Sequence, residues 1–118
     1  MQIIKNNANP VNVDFEITKN TTRTYELAFT EDITDWTVYF IAKENFKDAD
    51  TGAPIFKEVT SHTSPTNGET EIVLTASDTN ITAGVYYYAI SAKDDEGNEE
   101  VLFTGKLKIL ETVQKART

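Results

Sequence analysis

Apolar side chains at every second position are the feature that most restricts how this chain can fold. Between Val101 and Ile109 the odd-numbered positions are apolar or glycine, and most of the even-numbered positions are polar. A period of two is typical of a β-strand with one buried and one solvent-exposed face, because successive side chains of a strand point to opposite sides. The polar turn 94–98 precedes this strand, and its Gly97 can adopt the positive φ of a tight turn, which predicts a hairpin.

Two segments nearer the N-terminus show the same alternation. Val13, Phe15 and Ile17 are separated by polar residues, and the segment 24–30 places three large apolar residues on one face. A short polar connection joins the two segments. We therefore predict that they form a hairpin.

Four more segments have the composition of strands. The segments 36–43 and 84–92 are rich in aromatic and β-branched residues and have apolar groups on both faces, which is typical of strands in the middle of a sheet. Both faces of such a strand must be covered or used. Shorter strands are predicted at 55–59 and 69–74, the second with its last apolar residues pointing inward.

Two of the connections between the predicted strands, 44–54 and 75–81, are long enough to have a structure of their own. The polar segment 44–54 predicts a long mobile loop. The segment 75–81 is too short and polar for a core helix, but Thr75 or Ser77 can cap a single helical turn that tucks Ile81 under the sheets.

About seven strands at a spacing of roughly 8 to 12 residues, without an amphipathic helix, indicate an all-β sandwich with antiparallel sheets. A length of 118 residues is that of one domain with one core. We expect a single domain over 1–118, with its core at about 13–110. The polar tails at 1–10 and 112–118 are expected to be freely mobile by default, and the alternative is that they are arms that order on a neighbouring protein.

Charge and composition exclude several classes of function. The chain has 11 Lys and Arg against 19 Asp and Glu, a formal net charge of -8, and no basic patch, so neither nucleic acid nor an anionic membrane is an expected partner. It has no cysteine, which excludes disulfides and thiolate metal sites and favours assembly in a reducing cytoplasm. No signal peptide or membrane-spanning stretch is apparent in the sequence.

Residues that commonly carry catalysis are sparse. The single histidine, His62, lies in a polar stretch and is interpreted as an exposed loop residue, and no strained Gly-x-Ser-x-Gly turn presents a serine. The acidic segments 48–52 and 94–98 contain oxygen ligands that calcium prefers, but such residues also form turns well, and structural turns are the favoured interpretation. We expect no catalytic residue, no cofactor and no metal site.

Aromatic residues are the remaining candidates for a binding surface. Trp36, Phe40 and Tyr87 are interpreted as core residues. Alternation places Tyr86 and Tyr88 on the face opposite Tyr87, and these two tyrosines are the candidate interaction surface, since aromatic rings supply much contact area with few torsions to restrict.

The order of several segments resembles the N-terminal domain of bacteriophage baseplate upper proteins and related tail modules. The likeness is strongest where Leu74-Thr75-Ala76-Ser77-Asp78-Thr79 is followed by Gly84-Val85-Tyr86-Tyr87-Tyr88-Ala89-Ile90, which looks like that family's "Leu-Thr, Asp-Thr, Gly-x-Tyr" block. Other matching segments are 35–43, 55–57, 68–75, 94–97 and 102–107, so the resemblance covers about 15–109. Within the block, Asp78 and Thr79 are expected to hold a turn by side-chain hydrogen bonds, and Gly105 is expected to mark a bulge.

The resemblance implies an immunoglobulin-like sandwich that serves in virion assembly, without enzymatic residues. Its expected function is that of a structural module of a baseplate, tail or capsid surface, assembled in the host bacterial cytoplasm. Its expected partners are other phage structural proteins, and a homo-oligomer is plausible because symmetric virion parts commonly form one. The alternative is a carbohydrate- or cell-surface-binding module in which Tyr86, Tyr88 or the acidic loops contact the ligand, with or without calcium.

Overall fold

A computed structural model of the chain describes residues 2–5, 11–45 and 47–112, the first of these ranges as backbone alone. Within these ranges the secondary structure consists of strands and one 3-10 turn at Pro65–Asn67. No helix of the described residues is long and apolar enough to cross a membrane. The strands are β1 (Gln2–Lys5), β2 (Val11–Asn12), β3 (Phe15–Thr18), β4 (Arg23–Phe29), β5 (Thr37–Lys43), β6 (Ile55–Val59), β7 (Glu69–Leu74), β8 (Gly84–Lys93) and β9 (Glu99–Leu110).

The strands form two sheets that enclose one apolar core. The three-stranded sheet has the order β1-β4-β7, and the six-stranded sheet has the order β2-β9-β8-β5-β6, with β3 also paired to β9. The predicted all-β, immunoglobulin-like sandwich is therefore confirmed. Its sheets are mixed rather than purely antiparallel, because β1 runs parallel to β4 and both β2 and β3 run parallel to β9.

The predicted hairpin between the first two alternating segments is wrong. Strand β3 lies in the six-stranded sheet, with Phe15 opposite Leu107, while β4 lies in the other sheet and pairs with β7. Between them Asn20 takes a positive φ of 64°, and the chain crosses from one sheet to the other. Alternation requires only that each strand present one apolar face to the core, so it does not identify the neighbouring strand.

The N-terminal tail is partly a strand. Residues predicted to be freely mobile include Gln2–Lys5, which the structure places as β1 beside β4. Apart from Thr112, the rest of that prediction falls on residues 1, 6–10 and 113–118, which lie outside the described residues.

The two strands predicted to be central occupy central positions. Strand β5 lies between β8 and β6, and β8 lies between β9 and β5. Alternate residues of β5 are fully buried against the other sheet, and so are Ile72 and Leu74 of β7, which confirms their predicted inward orientation. The buried residues of both sheets belong to one cluster.

The β8–β9 hairpin contains a bulge, but not at Gly105. Ile90 is opposite Phe103 whereas Ser91 is opposite Val101, which leaves Leu102 as the extra residue on β9. The bulge interrupts the strict alternation, and Leu102 and Phe103 are consecutive buried residues while Val101 is 40% exposed.

Gly105 has a different role from the predicted one. A Cβ atom at this position would lie 2.2 Å from the carbonyl oxygen of Val13, where β2 gives way to β3. Only glycine lets the two backbones approach this closely. The Asp14 carboxylate accepts a hydrogen bond from the backbone N–H of Lys106, at 2.9 Å, beside this contact.

Candidate functional site

Tyr86 and Tyr88 lie in the core, so the prediction that they form an interaction surface is wrong. Their side chains are 4% and 2% exposed. The Tyr86 hydroxyl donates to the Thr82 carbonyl oxygen at 2.6 Å, and the Tyr88 hydroxyl donates to the Val13 carbonyl oxygen. Burial raises the pKa of both phenols above the ordinary value. Tyr86 and Tyr88 were predicted correctly to share one face of β8, with Tyr87 on the other. The core lies on the side of Tyr86 and Tyr88, so the interpretation of Tyr87 as a core residue is wrong, and Tyr87 is half-buried on the outer side.

Tyr88 belongs to an aromatic stack that joins the two sheets. Its ring centroid lies 4.9 Å from that of Phe15 and 5.6 Å from that of Phe40, and Tyr25 stacks on Phe15 at 4.7 Å. Phe40 is fully buried and Trp36 is 9% exposed, so their interpretation as core residues is confirmed. These rings stabilise the sandwich and are not available to a ligand.

His62 is half-buried rather than exposed, and both of its ring nitrogens are engaged. Nδ1 lies 2.8 Å from Thr70 Oγ1, and Nε2 lies 2.7 Å from the carbonyl oxygen of Trp36. Thr70 belongs to the three-stranded sheet and Trp36 immediately precedes β5 of the other sheet. The histidine therefore links the two layers.

The two acidic turns are held by their own hydrogen bonds. Asp94 Oδ1 accepts hydrogen bonds from the backbone N–H groups of Asn98, at 2.9 Å, and Glu96, at 3.0 Å. The hydrogen bond from the Asn98 backbone is the main reason that the pKa of Asp94 lies below its ordinary value. In the other turn, Lys43 Nζ lies 2.6 Å from Asp50 Oδ1. Among the described residues, no group of three or more His, Asp or Glu side chains could hold a metal ion.

Exposed large apolar residues lie on the outward-pointing side of β5, β6, β8 and β9, here called the exposed sheet face. One row runs straight across its four strands, because Ile41 is opposite both Phe56 and Ala89, and Ala89 is opposite Thr104. Phe56 is 46% exposed. Its ring meets that of Tyr39 edge-on, with centroids 6.2 Å apart.

A cavity of about 120 Å³ opens on the exposed sheet face beside this row. Ala89, whose side chain is small, leaves space between larger neighbours. The cavity is lined by Ile41, Lys43, Tyr87, Tyr88, Ala89 and Thr104. A half-buried apolar surface with a small cavity, bordered by lysine, can accept a side chain of another protein.

The outer side of the three-stranded sheet is acidic, and we call it the acidic face. Glu26 of β4 is directly opposite Glu71 of β7, and Glu69 is opposite Ala28. All three glutamates are exposed. Like charges directly opposite each other on a sheet are unfavourable, so this face is poorly suited to close approach by another acidic protein.

Sequence reasoning missed the residues that form the exposed sheet face. Ile41, Phe56 and Ala89 were not singled out, although the signal was present in the apolar composition of both faces of 36–43 and 84–92. That composition implied that the side away from the core would be covered or used. It did not show which residues lie on that side.

No protein-family model matches the chain, and no curated protein matches it. Among solved structures, the chain is similar to the bradyzoite-specific antigen BSR4 of Toxoplasma gondii, at 12% sequence identity and a TM-score of 0.36. The match covers 98% of this chain and 48% of that chain, so this chain spans about half the length of the antigen. A likeness of this degree carries no argument about function and places the chain in no family.

Proposed function

We propose that this chain is a non-catalytic structural module of a bacteriophage virion, located in a baseplate, a tail or the capsid surface, and that it acts through protein–protein contacts. The resemblance to baseplate upper proteins supports this proposal. Its segments fall on the parts that build the sandwich, namely β5, β6, β7, the turn 75–79 and β8. They are fold-forming segments, as a structural module requires.

The exposed sheet face is the observation that carries the proposal. It presents Phe56 and the half-buried Ile41 and Tyr39 to solvent beside a small cavity, whereas the acidic turn 94–98 is polar and hydrogen-bonded within itself. Exposed apolar surface bordered by polar residues favours contact with another protein over binding of a small polar substrate. We therefore assign this face a contact between protein subunits of the virion.

Assembly in the host bacterial cytoplasm is part of the same proposal. The chain has no cysteine, so its sandwich folds without disulfides and is compatible with a reducing compartment. Apolar packing and the aromatic stack around Phe40 and Tyr88 supply the stability instead.

Sugar binding through a tyrosine platform is not proposed as a second function. The platform required Tyr86 and Tyr88 at the surface, and their rings are in the core. The oxygen atoms of Asp94 that calcium would need accept hydrogen bonds from its own turn.

The composition of purified virions tests the proposal. After prophage induction in the bacterium that carries the gene, density-purified particles should contain the chain in many copies each, as measured by quantitative mass spectrometry. Gold-labelled antibody against the chain should mark one part of the particle in electron micrographs, with particles from a deletion strain as the control. Particles of normal shape and infectivity from the deletion strain, and none of the chain in wild-type particles, would contradict the proposal.

A further inference from the structure

The row across the exposed sheet face changes from large to small side chains. Phe56 on β6 and Ile41 on β5 are large, whereas Ala89 on β8 and Thr104 on β9 are small, and the cavity of about 120 Å³ lies at the small half. A face with projecting side chains on one half and a depression on the other half can match a copy of itself after a half-turn.

We propose that two copies of this chain pack their exposed sheet faces together about a two-fold axis that runs along the strands between β5 and β8. Such an axis places β5 of one copy over β8 of the other, and β6 over β9. Ile41 of each copy then lies over Ala89 of the other copy, and Phe56 lies over Thr104. Each contact occurs twice, as a two-fold interface requires.

The charges at the border of the exposed sheet face fit the same orientation. The Asp50 side chain is 71% exposed and paired with Lys43. It lies in the loop between β5 and β6, near the C-terminal end of β5. Lys106 is exposed on β9, in the row that contains Lys43 and Tyr87. The half-turn brings Lys106 of one copy towards Asp50 of the other, so opposite charges meet at both ends of the interface.

The acidic face does not offer this complementarity. It holds Glu26, Glu69 and Glu71 close together, and a half-turn of that face onto itself would bring carboxylates against carboxylates. Because the whole chain has a net charge of -8, contact between two copies is most favourable where lysines lie at the border.

The size of the exposed sheet face predicts a weak dimer. The four strands have 7, 5, 10 and 12 residues. At about 3.3 Å per residue and about 4.8 Å between strands they cover roughly 500 Å² per copy. This is below the roughly 800 Å² that each partner of a standard stable complex buries. The dimer therefore depends on concentration, and the crowded symmetric arrangement of a virion would favour it. The dimer deepens the proposed function by naming a partner, and a role for the dimer in assembly rests on that function. Self-association of the purified chain, however, is measured without any phage component.

Sedimentation equilibrium of the purified full chain is the first test. Between about 5 and about 500 µM the wild type should change from monomer to dimer, since weak complexes have dissociation constants in this range. Ala89→Arg, which fills the cavity with a charged side chain, should weaken dimerisation at least about tenfold, and so should Phe56→Ser at the projecting half. Ala28→Arg makes the same change on the acidic face and should leave dimerisation unchanged. Thermal unfolding verifies that each variant is folded. If Ala89→Arg does not fold, the effect of Phe56→Ser, a substitution at an exposed position, tests whether this face forms the dimer.

Charge exchange tests the orientation. Lys106→Glu alone and Asp50→Lys alone should each weaken the dimer by about threefold, since border ion pairs contribute little. An equimolar mixture of the two variants should form a mixed dimer with the wild-type affinity, because each interface end then pairs opposite charges again. The proposal is overturned if the wild type remains monomeric at the highest concentration, or if Ala89→Arg and Phe56→Ser both dimerise like the wild type. It is also overturned if the mixed dimer is no tighter than the dimers of the two single variants. Virion analysis can still succeed in that case, so the two failures are distinguishable.

Discussion

Two tyrosine hydroxyls in the aromatic core have opposite environments. The Tyr88 hydroxyl donates to the carbonyl oxygen of Val13, whereas the Tyr25 hydroxyl is buried and has no hydrogen-bond partner among the residues that the structure describes. A buried polar group without a partner costs free energy, and a satisfied one contributes about 1 kcal/mol. We expect Tyr88→Phe to lower the free energy of unfolding by about 1 kcal/mol, and Tyr25→Phe to leave it unchanged or raise it by up to about 1 kcal/mol. Urea unfolding measures both, and equal losses in the two variants would contradict the assignment.

Gly68 is a position at which a side chain is poorly tolerated. Its φ is 77°, and a Cβ atom would lie 2.4 Å from the carbonyl oxygen of Phe29 and 2.7 Å from that of Glu31. Both obstacles are backbone atoms that cannot move aside. Gly68→Ala should lower the free energy of unfolding by about 2 kcal/mol or more. Gly52 also has a positive φ, of 82°, but apart from its chain neighbours no atom of the described residues would lie within 4 Å of an added Cβ. Gly52→Ala therefore measures the cost of positive φ without the clash and should be clearly less destabilising.

At the scale of elements, the turn 75–79 shows how side chains join the two sheets. The Thr75 backbone N–H donates to Asp78 Oδ2 at 2.8 Å, and the Asp78 N–H donates to Thr75 Oγ1, which is the reciprocal pattern of a capping box. The Thr79 hydroxyl, fully buried, donates to the carbonyl oxygen of Thr21 at 2.7 Å. The predicted roles of Asp78 and Thr79 in holding a turn by side-chain hydrogen bonds are confirmed. The predicted helical turn is wrong, because Thr75 closes a hydrogen-bonded turn instead, and Ile81 is only partly buried against the core.

The Asp78 carboxylate makes the stability of this turn depend on pH. Burial acts to raise its pKa, but hydrogen bonds from Thr75 and Lys57 together with the Lys57 charge hold the pKa below its ordinary value. The unfolded state therefore binds this proton at higher pH than the folded state does. The stabilisation is present above about pH 4 and is lost as the pH falls through the lower folded value.

Asp78→Asn should accordingly destabilise the protein at pH 7 and have little effect at low pH. The Asn oxygen still accepts from Thr75, but the attraction to Lys57 at 2.9 Å is lost, which corresponds to a decrease of up to about 1 kcal/mol in a partly exposed pair. Urea unfolding at pH 7 and at pH 3 measures the difference. Asp95→Asn, an equal charge change in an exposed turn, is the control. A difference from wild type that is the same at both pH values would show that Asp78 contributes by shape alone.

At the scale of the whole molecule, His62 contributes to holding the two layers in register. Its ring joins Thr70, 2% exposed on β7, to the backbone of Trp36. His62→Ala leaves the Thr70 hydroxyl and the Trp36 carbonyl without this partner, and should lower the free energy of unfolding by about 2 kcal/mol. Thr63→Ala, at the exposed neighbouring position, should have almost no effect in the same urea titration. Equal stability of the two variants would rule out this role for His62.

The residues of the candidate site were less predictable than the strands that carry them. Aromatic residues on both faces of 84–92 indicated that one face meets the core and that the other is covered or used, but the period of two is the same for either assignment. Tyr86 and Tyr88 were therefore placed on the wrong side. Ala89 was overlooked because its importance comes from its larger neighbours, Ile41 and Tyr87, which only the packed sheet brings beside it.

The amino-acid sequence by itself determined that this protein is all-β, where its main strands lie and which of them are central, because alternation and β-branched or aromatic composition are local properties. The tertiary structure alone decided that β3 pairs in parallel with β9, that the bulge lies at Leu102 and that Tyr87 faces outward while Tyr88 faces inward. Each of these depends on contacts between residues distant in sequence. A strand's own pattern shows that its two faces differ, but the layer packed against it determines which face is buried.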